Sequence, residues 1–193
     1  MLINGEDLLD TPILSLQTGT ELARTERAII NPHNLTVIAY EISGSNLDHH
    51  PSYVRIADIR EVSAIGFIVD SSEEFIVLDD VITLKDIYEL HFQLEHKTVL
   101  DEQRNKLGKV IDYNLDADGF VIQQLTIKRP LLKSFNDSEL VIHRSQVIEV
   151  TDDAIVISSK GEIKTLATKT QTYVNPFRQS PQTEAISNRR DRQ

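Results

Sequence analysis

The residues best able to hold a metal or move a proton are six histidines and several paired carboxylates, and their spacing decides what they can do. His49 and His50 are adjacent, His91 and His96 are five apart, and His33 and His143 stand alone. A closed zinc site needs four ligands, and with no cysteine in the chain the missing ones must be carboxylates brought from afar. The His49–His50 pair, between Asp48 and Pro51, therefore reads as a solvated polar loop. Glu73–Glu74, Asp79–Asp80, Asp116 with Asp118, and Asp152–Asp153 are the carboxylate pairs. Asp116, Asp118 and Gly119 look like the opening of a calcium loop, but the bidentate glutamate such a loop needs at its twelfth position is missing. They read as a hairpin turn.

Other catalytic signatures are missing too. The seven glycines form no phosphate-binding loop, and there is no nucleophile elbow and no His-x-x-x-His helix. Zero cysteine excludes disulfides, iron–sulfur clusters and a thiol nucleophile. The expectation is a protein that is not an enzyme, with no catalytic, metal or cofactor residue assigned.

Two stretches have the chemistry of partner contacts. Arg129 followed by Leu131, Leu132 and Lys133 offers a charged anchor beside apolar residues that a partner can desolvate. Its plainer reading is a hairpin mouth with buried leucines. Tyr173, Phe177 and Arg178 form an aromatic and basic island in polar sequence, suited to docking on the chain's own acidic body or on a partner. Arg189, Arg190 and Arg192 would add a weak, salt-sensitive attraction for RNA, which three charges alone do not make specific.

The elements that must position these residues are written twice. A shift of 85 lays Glu21–Ile42 over Lys106–Ile127 without a gap, so that Leu35 meets Phe120, Val37 meets Ile122, Tyr40 meets Leu125 and Ile42 meets Ile127. Asn31-Pro32-His33-Asn34 and Asp116-Ala117-Asp118-Gly119 are turn formers by different routes. After Leu35 and Val37 the apolar face resumes at Tyr40, a step of three where alternation needs two, and Phe120, Ile122 and Leu125 do the same. A β-bulge makes that step, which predicts one near Ile38 and one near Gln123. Further along the shift becomes 88, laying Tyr53, Val54, Ile59 and Val62 over Val141, Ile142, Val147 and Val150. Between the copies, Ile82, Leu84, Ile87 and Leu90 keep a helical period.

The second copy resembles a PRC-barrel domain, the module found in the photosynthetic reaction-centre H subunit and at the C-terminus of a ribosome maturation factor. The resemblance lies in Leu107, Gly108, Lys109, Val110 and Asp112, and later in Ser145, Gln146, Val147 and Ile148. The first copy, through Leu14, Ser15, Thr18, Gly19 and Asp58, Ile59, Arg60, Glu61, is similar to the first repeat of bacterial proteins with two such barrels. Ala23 departs from that pattern, standing where the second copy has Gly108. The resemblance implies a binding or assembly module with no shared catalytic residues.

The expected fold is mainly β: two tandem small antiparallel β-barrels, PRC-barrel-like, joined by a short helix-containing linker and followed by a flexible C-terminal tail. The boundaries are 1–72 for the first repeat, 73–95 for the linker, 96–160 for the second repeat and 161–193 for a polar, basic, disordered tail. Units this small are marginal alone, so the segment from Phe75 to Ile82 is expected to fill the space between them. The net charge of −10 argues against a nucleic-acid clamp over the whole surface. With no signal-peptide pattern and no long apolar run, the protein is expected in the cytoplasm without membrane insertion.

The leading functional expectation is a non-catalytic protein–protein adaptor, with a homo-oligomer among its possible forms. The alternatives are a ribosome- or RNA-associated assembly factor working through the basic tail, and a sensor of a small ligand or metal.

Overall fold

The computed structural model describes residues 1–129, 138–158 and 164–167, with Ser138 and 164–167 as backbone only. The first half contributes β1 (Leu2–Asn4), β2 (Pro12–Ser15), β3 (Glu21–Asn31), β4 (Thr36–Ser43), β5 (Ser52–Arg55), β6 (Glu61–Ser63), β7 (Gly66–Val69) and β8 (Phe75–Ile76). Helix α1 (Ile82–Glu89) follows. The second half contributes β9 (Thr98–Leu100), β10 (Lys106–Asp116), β11 (Ile122–Lys128), β12 (Ser138–His143), β13 (Val147–Val150), β14 (Ala154–Ile157) and β15 (Lys164–Ala167).

The protein is mainly β, in two sheets ordered β6-β7-β2-β3-β4-β5-β8 and β13-β14-β9-β10-β11-β12-β15. Strand β1 departs from the order of the chain: it pairs with β10, in the second sheet. The expectation of antiparallel barrels needs correction, because both sheets are mixed and neither closes. Strands β2 and β7 run parallel, Ile13 beside Phe67, as do β9 and β14, Val99 beside Ile155. The cause is the corner after β5. A single 3-10 turn, Ile56–Asp58, carries the chain to the opposite edge of the sheet without reversing it, so β7 arrives beside β2 in the same sense. Arg144–Gln146 does the same after β12.

The repeat extends to the register. Strands β3 and β10 occupy equivalent residues, and their pairings with β4 and β11 slip at equivalent places. Ile29 faces Ala39 while Ile30 faces Val37, which leaves Ile38 as the extra residue. Asn114 faces Gln124 while Leu115 faces Ile122, which leaves Gln123. These are the positions where the apolar phase jumps in sequence. The extra residue turns Tyr40 and Ile42 back toward the core, where both are buried.

One core joins the sheets. Phe120, from the second sheet, lies 6.5 Å from Tyr40 and 5.9 Å from Phe67 by ring centroid, both in the first. The space between the units is thus filled by the hairpin tips, Leu35 and Val37 against Phe120 and Ile122. Most of the segment expected there lies elsewhere, although Phe75 packs on this core. Ile76, Leu78 and Val81 pack with α1 over the outer face of the first sheet, on Ile29, Ala39 and Tyr53, while Ile82 is 75% exposed. Helix α1 is amphipathic for this reason: Leu84, Ile87 and Tyr88 share the face that the sheet covers.

Candidate functional site

An open stretch of sheet edge stands out once the two copies are compared. Along β10, the side away from β11 is filled from end to end. Strand β9 pairs with Lys106–Lys109, then Val110 donates to the Lys97 carbonyl (3.0 Å) and accepts from His96 (2.8 Å). Beyond that, Gly5 donates to the Tyr113 carbonyl (2.8 Å) and β1 pairs with Asn114–Asp116.

Strand β3 repeats the first part and then stops. Strand β2 pairs with Glu21–Arg24, Thr25 donates to the Thr11 carbonyl (3.1 Å) and accepts from Asp10 (2.8 Å). The equivalence reaches backbone angles, for Asp10 and His96 both have positive φ, 53° and 64°. From Ala28 to Asn31, however, no strand among the described residues lies on that side. Unpaired edge groups are a template for another chain.

The vacant edge lines a groove of about 390 Å³. Residues 26–30 form one wall, Ile87 and Tyr88 of α1 with residues 91–96 form the other, and Leu9 and Tyr113 complete it. The Tyr113 ring is pinned over Gly5, where a Cβ would come within 2.5 Å of its Cζ. Burial raises the Tyr113 pKa, and the Glu95 and Asp112 carboxylates add to the rise.

Charge in the groove is uneven. Arg27 is held by Glu41 (2.6 Å), donates to the Tyr88 hydroxyl (3.3 Å), and sits with its guanidinium 5.4 Å from the centre of the Tyr88 ring. Glu26 and Glu95 have no ion-pair partner among the described residues. The groove combines apolar walls, free carboxylates and unpaired backbone groups, a composition suited to an extended peptide.

A second groove, of about 360 Å³, lies where the units meet, between His33–Leu35 and Arg144, Val147–Val150. Arg144 is engaged there, donating to the Asn34 carbonyl at 2.7 Å.

Arg129 is exposed just past the end of β11, while Leu131, Leu132, Lys133, Tyr173, Phe177 and Arg178 lie outside the described residues. Of the histidines, His91 and His96 come together in the groove and His33 lines the second one. His143 is bonded to Ser145 at 2.9 Å. Among the described residues no three of His, Asp and Glu cluster as metal ligands, and no helix is long and apolar enough to cross a membrane. The open edge escaped sequence reading because it consists of backbone groups. Its one sequence trace is the difference between what precedes β2 and what precedes β9.

No protein-family model and no curated protein matches this chain.

Proposed function

We propose that the chain is a non-catalytic protein-interaction module, a cytoplasmic adaptor that takes an extended segment of a partner onto the open edge of β3. The observation that carries this reading is β1 lying on β10 while, among the described residues, the equivalent edge of β3 holds no strand. Strand addition supplies backbone bonds for affinity, and alternate side chains supply specificity. A fitting segment places an apolar side chain beside Ile30 and a basic one near Glu26 or Glu95. Kinship with PRC-barrel modules belongs to the same proposal: half-open curled units, written twice, that serve partnering.

The test is a photoreactive benzophenone residue in place of Gln93, which is exposed and lines the groove. Crosslinking in living cells followed by mass spectrometry then reports what the groove touches. Ala28 corresponds to Tyr113, whose carbonyl accepts from Gly5 while its N–H is taken by the Asp112 side chain; with Arg27 in place of that carboxylate the Ala28 N–H is left for a partner, and the variant Ala28→Pro removes this donor while leaving the β4 ladder. The expected result is a reproducible partner whose crosslinked peptide, made synthetically, binds the native protein and not Ala28→Pro. Crosslinks that persist unchanged in a folded Ala28→Pro protein, or no partner segment at all, overturn the reading.

A further inference from the structure

We infer that the groove along β3 is an interface between copies of this chain, filled by the Tyr173–Asn175 segment of a second copy. The inference rests on the strand-addition reading and names the strand.

The structure already contains a worked instance of the required ligand. Strand β1 is Leu2-Ile3-Asn4, with Ile3 beside Leu115 and packed on the core. Its Asn4 side chain donates to Asp112 and accepts from the Glu6 backbone (2.8 Å). Beyond the described residues, Tyr173-Val174-Asn175 repeats this order of a large apolar residue, a β-branched one and asparagine. In the equivalent register Val174 pairs with Ile30, which is buried in the same core as Leu115. Asn175 then faces the neighbourhood of Arg27, which stands where the second copy has Asp112. Asparagine serves both settings, since its amide can donate to a carboxylate and its carbonyl can accept from a guanidinium. Pro176 replaces Gly5 and ends the ladder one bond sooner, having no N–H to give.

Charge favours the same pairing. Residues 168–193 hold five Lys or Arg against two Asp or Glu, whereas residues 1–167 hold 15 against 28. Arg178 follows the segment by three residues, and Glu26 and Glu95 stand in the groove.

Reach selects a second copy over the chain's own tail. Leu166 is level with Lys109 across three ladders, on the β11 side of β10. Strand spacings then put it about 25 Å from Leu115, and the groove lies on the other side of β10, against Leu94–His96. Six Cα steps from Ala167 to Tyr173 span at most about 22 Å. A tail from another molecule meets no such limit, and two copies that exchange tails form a closed pair.

The experiment mixes full-length isotopically light and heavy protein, each carrying the benzophenone residue at position 93, and maps the crosslinks. Crosslinks joining heavy to light chains between position 93 and residues 169–178 are the expected result. They should disappear in Val174→Asp, and native mass spectrometry should show self-association weakened by roughly tenfold, the effect of losing one buried apolar side chain. The double variant Glu26→Lys, Glu95→Lys should weaken it also. Crosslinks to the tail within one chain only, or a protein that stays monomeric, overturn the inference. Crosslinks in cells to other proteins but none to the tail overturn it while the strand-addition reading stands, and silence in both experiments removes both.

Discussion

Leu35 and Phe120 hold each other's strands: Ile122 donates to the Leu35 carbonyl at 2.9 Å and Val37 donates to the Phe120 carbonyl at 3.0 Å. Both have left-handed backbones, φ 49° and 51°, and between them Thr36 and Val121 form a single antiparallel bridge. The two copies are thus related by a local twofold axis through this bridge, and the strained residue of each hairpin serves the other.

Truncating Phe120 should therefore loosen both sheets. Its ring is 2% exposed and packs on Tyr40 and Phe67. Phe120→Ala is expected to cost about 3–5 kcal/mol, read by chemical denaturation as one transition common to both halves. Because the backbone is left-handed, Phe120→Gly should be no worse than Phe120→Ala, reversing the order usual in strands.

The bulges give a second test. Deleting Ile38 restores strict alternation along β4 with Tyr40 and Ile42 still on the core face, and what it removes is the bulge, with the local bend and twist that the bulge gives the strand. The expected outcome is a protein that still folds cooperatively but is destabilised by about 1–3 kcal/mol, whereas the conservative Ile38→Val should melt within a few degrees of the native chain. Loss of any cooperative transition in the deletion variant would contradict the assignment.

These bulges mark how far the sequence could be read. Spacing of apolar side chains revealed the repeat, the hairpins and the extra residues at Ile38 and Gln123, because burial imposes a period on side chains. The parallel placement of β7 beside β2 left no such mark: a one-turn corner at Ile56–Asp58 sets it, and its residues have no period. Strand β1 is three residues long and crosses to the other sheet, too short to show a pattern. The open edge is likewise invisible, since unpaired carbonyls and N–H groups carry no residue code. As for the space between the units, the apolar run Phe75–Ile82 was the natural candidate, yet the hairpin tips fill it, and Ile76, Leu78 and Val81 pack with α1 instead.

Ala23, a departure from the glycine of its counterpart Gly108, has a structural counterpart across the strand pair. In the first copy Gly44 leaves room beside Ala23, since a Cβ there would stand 3.4 Å from the Ala23 Cβ and 2.9 Å from the Leu22 carbonyl oxygen. In the second copy the position matching Gly44 is Arg129, and the glycine is Gly108, where a Cβ would meet the Lys128 carbonyl oxygen at 2.3 Å. One glycine suffices for each close approach, on either strand. Gly108→Ala should accordingly destabilise by about 1–3 kcal/mol in denaturant titrations, and Ala23→Gly by about 1 kcal/mol or less.

Tyrosine ionisation reports the joined core directly. Burial raises the pKa of Tyr40, where Tyr113 adds to the effect, and burial likewise raises Tyr113 and Tyr53. Among the described residues the Tyr40 hydroxyl has no hydrogen-bond partner, so nothing there offsets the cost of a buried phenolate, while at Tyr53 the neighbouring Tyr88 and the Glu41 carboxylate add to the rise and the Arg27 charge works against it. A group whose folded pKa lies above its unfolded value contributes stability below the unfolded pKa, near 10 for tyrosine, and loses it as pH rises. Stability should therefore hold up to about pH 9–10 and decline beyond it. In a spectrophotometric titration, three of the five tyrosines should ionise only together with the loss of circular dichroism. Tyr40→Phe removes one such group and the unpaired hydroxyl with it, so it should move the alkaline transition to higher pH. Early, reversible ionisation of all five with the fold intact would mean that Tyr40, Tyr53 and Tyr113 are not sealed between and beneath the sheets.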